Sequence, residues 1–178
     1  MGGWARRVGH ARRPVECAWN VQTGMSMPPP SQPRAPLAWL HAPGSLTRHL
    51  ARVCGEAPRV DVMAEGWVRA AVDEARLLGI RAGGRIWRRE VRLGCGSVSY
   101  VHAVTLASAS TVRSLGLGRL GVRPLGRLLF RRGARRLARE ILRPHAGQAW
   151  GRRTLYLMGR HRLLVQECFL PGVPPRRR

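Results

Sequence analysis

Three places in this 178-residue sequence have residue types that could do chemistry: an arginine, a carboxylate and a main-chain amide. In "RIWRREVRL" an extended chain puts Trp87, Arg89, Val91 and Leu93 on one face and Ile86, Arg88, Glu90 and Arg92 on the other. That alternation predicts Arg88, Glu90 and Arg92 in water and Arg89 on the apolar face, where an unpaired guanidinium is costly. Arg89 therefore needs an anionic partner, from the protein or from a ligand, or a strand-end position from which it snorkels to the surface. In "RLLVQECFLPG" the same period aligns Glu167 with Leu163, Val165 and Phe169. Burial disfavours its charged form and a nearby arginine opposes that shift, so Glu167 is either half of a structural salt bridge or a working carboxylate. In "GVRPLGRLLF", Pro124 fits the first turn of a helix. The amide of Leu125 then falls among the unpaired donors of a helix start, where anions are favoured.

These residues need elements to hold them. The segments "PRVDVMAEGWVRAAV", "RIWRREVRL" and "GCGSVSYVHAVTLASAS" read as strands, the last running through Val101, Ala103 and Thr105 with Ser110 or Thr111 capping the next element. A lone His102 there reads as a solvated or core residue. "AWGRRTLYLMGRHRLLVQECFLP" reads as two strands joined by a turn at Gly159, Arg160 and His161. After a break at "APG", Ser45 is a candidate N-cap for a short helix through Leu46, Leu50 and Val53. "DEARLLGIRAGG" reads as a connection rich in turn residues, and "RRLAREIL" as an extension of the helical pattern of Leu128, Leu129 and Phe130. "PPPSQPRAP" reads as an extended linker. Residues 1–36 are accordingly expected to be a disordered or extended Arg/Pro-rich arm, and residues 37–178 a single domain with one core.

Composition bounds the function. A formal charge of +23, with arginine the only basic residue besides histidine, invites a nucleic-acid reading. The basic residues are spread along the chain, with no zinc-finger spacing, RNP-like aromatic strand or helix-turn-helix signature, so the bias also reads as coding composition. Such a surface still attracts small anions. Cys17, Cys54, Cys95 and Cys168 form no CxxC pair and no metal-ligand spacing with histidine. They are expected to be buried or idle thiols in a reducing cytosol. No apolar run approaches the roughly 18 residues of a membrane span. The first residues lack the apolar segment of a secretory signal; a transit peptide, or a start at Met25 or Met27, stays open.

Several stretches, in order and spacing, resemble the chorismate lyase family: "IWRREVRL" (86–93), "SLGLGRLGVRPLGRLLF" (114–130), "WGRRTLYLMGRHRLLVQECFLP" (150–171) and, more loosely, "LAWLHAPGSLTRHL" (37–50) with "VDVMAEGWV" (60–68). The resemblance runs from about Leu37 to Pro171. Ala107 stands where a proline is expected, and the Pro-rich arm has no counterpart. The resemblance implies an α+β domain: an antiparallel sheet of about six strands, helices on one side, and helical flaps over a buried site. It implies conversion of chorismate to 4-hydroxybenzoate and pyruvate, at the entry to ubiquinone biosynthesis, by a cytoplasmic, monomeric, product-inhibited enzyme with no cofactor or metal. It assigns the substrate ring carboxylate to Arg89 and to the main-chain amides of Leu46 and Leu125, and the hydroxyl end to Glu167, with Arg89 and Glu167 as the catalytic pair. Two rival readings remain. One is a non-catalytic domain of the same fold that binds a small anion or aromatic acid. The other is a basic nucleic-acid-binding protein, indifferent to substitution of Arg89 and Glu167.

Overall fold

A computed structural model of the protein describes residues 36–131, 133–144 and 149–174. The arm expected over residues 1–36 lies, but for Pro36, outside the described residues.

Alternating apolar residues from Arg59 onward form six strands: β1 (Arg59–Arg69), β2 (Arg85–Cys95), β3 (Val98–Ala107), β4 (Arg135–Leu142), β5 (Gly151–Met158) and β6 (His161–Phe169). They make one sheet in the order β1-β2-β3-β6-β5-β4, and every neighbouring pair is antiparallel. One sheet face carries Trp87, Arg89, Ala103, Thr105, Arg152, Val165 and Glu167, brought into line by the register of β2, β3, β6 and β5. Short helices cover this face. At one end α1 (Leu37–Leu40) and α2 (Leu46–Cys54) pack Trp39, Leu40, Leu46 and Leu50 onto Val60, Leu93, Val101 and Phe169. At the other, α4 (Ala109–Leu115), a 3-10 turn (Leu117–Arg119) and α5 (Leu125–Arg131) pack Leu115, Leu117 and Leu129 onto Trp87, Leu163 and Val165. α3 (Val72–Leu78) lies against the opposite face, where Ala75 and Leu78 meet Ile86, Val104, Leu106 and Leu164.

Several local expectations need correction. "RRLAREIL" is strand β4, not helix; its helix-forming residues are overridden by pairing with β5, and it is a bulged edge strand. "DEARLLGIRAGG" contains most of α3, which Glu74 starts by accepting a hydrogen bond from the Ala71 amide. The cap of α4 is Ser108, which accepts from the Thr111 amide, in place of Ser110 or Thr111. Arg88, Glu90 and Arg92 are half-buried, because Arg88 and His102 both converge on Glu90. Ser45 caps α2 as expected.

The thiols are not idle. Cys54 at the end of α2 is disulfide-bonded to Cys95 at the end of β2, their Cα atoms 5.5 Å apart, and none of the described cysteines is free. Sequence spacing carries no information on such a pair, because the helix and the strand meet only in the fold. The bridge fastens α2 to the sheet. Among the described residues no helix is long and apolar enough to cross a membrane.

Candidate active site

The sheet face and the two helical flaps enclose a small cavity lined by Leu46, Arg89, Thr105, Leu125, Arg152, Tyr156 and Glu167, among others. All four residues singled out from the sequence thus meet at one place. Arg89 and Glu167 rise from the sheet, while Leu46 and Leu125 are the first residues of α2 and α5. First-turn amides have no partner within their own helix, so the flaps bring to the cavity lining two residues whose amides stand at a helix start.

Arg89 is buried, not snorkelling. Its Nη1 donates to Glu65 Oε2 at 2.8 Å, and its Nη2 donates to the carbonyl of Gly121. Glu65 sits directly across from Arg89 in the β1–β2 register. These bonds hold the guanidinium between an edge strand and the segment leading into α5, with further N–H donors of the fork left to face a ligand.

Glu167 has an arginine partner that sequence reasoning did not name. Arg152, directly opposite it on β5, donates from Nε to Glu167 Oε2 at 2.5 Å. Arg152 is completely buried, its Nη1 donating to the carbonyls of Trp39, Leu40 and Ala42 at 2.8, 3.4 and 3.3 Å. Its Cζ also lies 5.6 Å from the centre of the Phe169 ring. The pair fixes Glu167 Oε2, and among the described residues Oε1 has no protein donor. A substrate hydroxyl can take that place.

Tyr156 completes this end of the cavity. Burial, and then the Glu167 carboxylate, push its phenol above the usual range, so it remains a protonated donor across neutral pH. Arg139 stands close behind, donating to the Ala42 carbonyl at 3.0 Å; burial, followed by the Arg152 charge, lowers its pKa from the ordinary arginine value. Two guanidiniums around one carboxylate leave this end of the site net positive. Sequence reasoning named none of Tyr156, Arg152 and Glu65; Arg152 is set opposite Glu167 by the β5–β6 register, and Glu65 opposite Arg89 by a β1–β2 pairing that no local signal fixes.

Among the described residues no cluster of His, Cys, Asp and Glu could hold a metal ion. What the cavity offers is a buried cation at one end, a buried carboxylate with its own counter-ion at the other, and two helix-start residues on the wall. That arrangement binds and orients a small organic anion carrying a hydrogen-bonding group at its far end.

Comparison with known proteins agrees with this chemistry. The family model described as chorismate lyase matches residues 14–176; its match begins earlier than the motifs, which start near Leu37. A protein of Methylococcus capsulatus named "Probable chorismate pyruvate-lyase" is 39% identical over 153 residues, covering 76% of this chain and 94% of its own. The "Chorismate pyruvate-lyase" of Cronobacter sakazakii is 36% identical over 143 residues, covering 78% and 82%. Among solved structures, PhnF from Mycobacterium smegmatis superposes with a TM-score of 0.54 at 16% identity, covering 74% of this chain and 65% of its own. The C-terminal domain of the histidine utilization repressor from Pseudomonas syringae gives 0.51 at 13%, covering 68% and 94%. At such identities the structural likeness speaks for the fold alone.

Proposed function

The chain belongs to the chorismate lyase family, and from that premise we propose that it eliminates pyruvate from chorismate to give 4-hydroxybenzoate, with Arg89 and Glu167 as the central residues. The observation that most supports this is that Arg89, Glu167 and the first residues of α2 and α5 all line one small cavity. The same premise carries the cytoplasmic setting and the link to ubiquinone biosynthesis. The same family premise carries a monomeric state.

Chorismate is a compact dianion. The bond between the ring and the enolpyruvyl oxygen breaks, a ring proton leaves, the enolpyruvyl group gains a proton to become pyruvate, and the ring becomes aromatic. Aromatisation supplies much of the driving force, so the protein mainly has to bind, orient and exclude water. Arg89 holds the ring carboxylate with charge-assisted hydrogen bonds, and the amides of Leu46 and Leu125 add fixed donors that bring no extra mobile charge. At the other end Glu167 accepts from the ring hydroxyl through Oε1 while Arg152 keeps Oε2 in place. Glu167 therefore positions and polarises the substrate; it does not have to shuttle a proton. Product stays enclosed until a flap opens, which makes release slow and product inhibition an expected property.

The test is to incubate the purified protein with chorismate, without added metal or cofactor, and follow 4-hydroxybenzoate and pyruvate. Equimolar products from the native protein, lost in Arg89→Ala and Glu167→Ala, are expected. Glu167→Gln should keep most of the turnover with a flat pH profile; a collapse of kcat in that variant would assign Glu167 an obligatory proton transfer. Tight binding of 4-hydroxybenzoate without turnover would place the chain among non-catalytic binding domains. Steeply salt-dependent nucleic-acid binding, indifferent to both substitutions, would favour the third reading.

A further inference from the structure

With α2 and α5 in place, the cavity holding Arg89 and Glu167 keeps only about 60 Å³ of free volume, well below the roughly 300 Å³ of a small-molecule pocket. Substrate therefore enters only when the flaps part. Immediately outside lies a wider groove of about 940 Å³. Thr47, Val60, Arg123, Pro124, Gly126 and Phe130 line both spaces, so the groove ends on the wall of the inner cavity. That wall is the seam between the flaps. It is tight at Gly126, where an added Cβ would lie 2.9 Å from Ser45 Oγ and 3.1 Å from Thr47 Oγ1.

The groove has an unusual charge balance. Arg48 on α2, Arg127 and Arg131 one turn apart on α5, and Arg123 just before α5 all line it, and none of its lining residues is acidic. Arg59 also lines it, but that side chain is engaged with Asp61. Among the described residues Arg123 donates only to the carbonyls of Arg119 and Leu120, with no carboxylate beside it. Arg48, Arg127 and Arg131 are exposed and have no side-chain partner among the described residues. The floor between these cations is apolar, with Val60 and Pro124 beneath and Val122 and Phe130 exposed, Phe130 by 42%. Guanidiniums around an apolar floor fit a carboxylate carried on a ring better than a bare inorganic anion.

We propose that this groove is an outer binding site for ring carboxylates, where the substrate dianion is captured before the α2–α5 seam at Gly126 opens to admit it. The identity of the ligand rests on the lyase reading above; the site itself rests on the groove. Its arginines then act on arrival and not on the chemical step. Steering by such a lined cleft raises association rates by about 10- to 1,000-fold, and salt screens the effect.

The test compares two triple variants of the full chain that remove the same charge. One carries Arg48→Ala, Arg127→Ala and Arg131→Ala in the groove. The other carries Arg76→Ala, Arg81→Ala and Arg160→Ala, exposed positions on α3, on the connection after it and in the β5–β6 turn. Two quantities are read at low and high salt: the association rate of 4-hydroxybenzoate by stopped-flow fluorescence, and kcat/KM with kcat for chorismate. The groove variant is expected to lose about ten-fold or more in association rate and kcat/KM at low salt, to lose most of the native salt dependence, and to keep its kcat. The control variant should stay within roughly two-fold of native, since its charges lie outside the entrance and are screened. Equal losses in both variants would reduce the effect to net charge, and no loss in either would remove the groove from the route; each result overturns the proposal. So would a fall in kcat matching the fall in kcat/KM, which places these arginines in the chemical step. The association rate needs no turnover, so a native protein that binds 4-hydroxybenzoate but makes no product would overturn the lyase reading and leave this test standing.

Discussion

Two arginine–glutamate pairs stand at the two ends of the cavity, and each is a direct cross-strand neighbour pair. Arg152 faces Glu167 across β5 and β6, and Arg89 faces Glu65 across β2 and β1. Their roles are exchanged. In the proposed binding mode the carboxylate meets the ligand at the inner end and the arginine supports it, whereas at the outer end the arginine meets the ligand and the carboxylate supports it. Their settings also differ. The inner side chains are 1% and 11% exposed, whereas Arg89 at 3% is supported by a Glu65 exposed by 30% on an edge strand. A support sealed from water is bound up with folding, while a support open to water can be removed with little structural consequence. The sheet thus builds one rigid end and one adjustable end from the same pair of residue types.

The largest expected effect breaks the inner pair. Arg152→Met leaves Glu167 buried without its counter-charge, and Glu167→Met does the same to Arg152; each should cost about 3–5 kcal/mol in urea unfolding. The double variant removes both charges and should lose less than the sum of the two, with a coupling of about 0.5–3 kcal/mol, while remaining inactive. Strictly additive losses would mean that the 2.5 Å contact contributes nothing, and the two ends would no longer differ in kind.

At the outer end function and stability should separate. Arg89→Ala removes charge-assisted bonds worth about 1.5–3 kcal/mol each, which corresponds to a loss of roughly ten- to a hundred-fold or more in kcat/KM. Glu65→Gln should cost less stability than Arg152→Met, because the amide oxygen of the new side chain and the Gly121 carbonyl both still accept from Arg89. Its signature is a several-fold rise in KM at nearly constant kcat. A drop in unfolding free energy as large as that of Arg152→Met would erase the distinction.

The same two pairs show what the sequence made legible. Alternation alone placed Arg89 and Glu167 on the apolar face, and that reading held because neither strand is at an edge of the sheet and the face they share is covered by α1, α2, α4 and α5. The partner of Glu167 depended on counting a hairpin. The structure has a two-residue turn, Gly159 and Arg160, with Met158 opposite His161, which sets Arg152 opposite Glu167. A three-residue turn including His161 would have set Arg153 there, and Arg153 faces Asp73 and Glu140 on the other side of the sheet. Glu65 was out of reach altogether, since the β1–β2 connection contains α3 and β1 carries a bulge between Val62 and Ala64. Exposed β4 could not be told from helix by composition, because its conformation comes from β5. The Cys54–Cys95 bridge joins residues 41 positions apart with no local signal.

The smallest expected effect concerns Glu90, the neighbour of Arg89 on β2, whose side chain points to the opposite face. The His102 hydrogen bond first, with help from Arg88 and against partial burial, holds its carboxyl down to about 2. A carboxyl whose folded pKa lies below its ordinary value of 4.5 adds stability that is fully present above that value and is lost as pH falls through the window towards about 2. The stability difference between the native protein and Glu90→Gln should therefore shrink steadily as pH falls from about 4.5 towards about 2, as read by urea unfolding at each pH. Turnover near neutral pH should not change, because Glu90 lies across the sheet from the cavity. A loss of kcat in Glu90→Gln would show that the far face of β2 feeds into Arg89, and the outer end of the site would then need a support beyond Glu65 and Gly121.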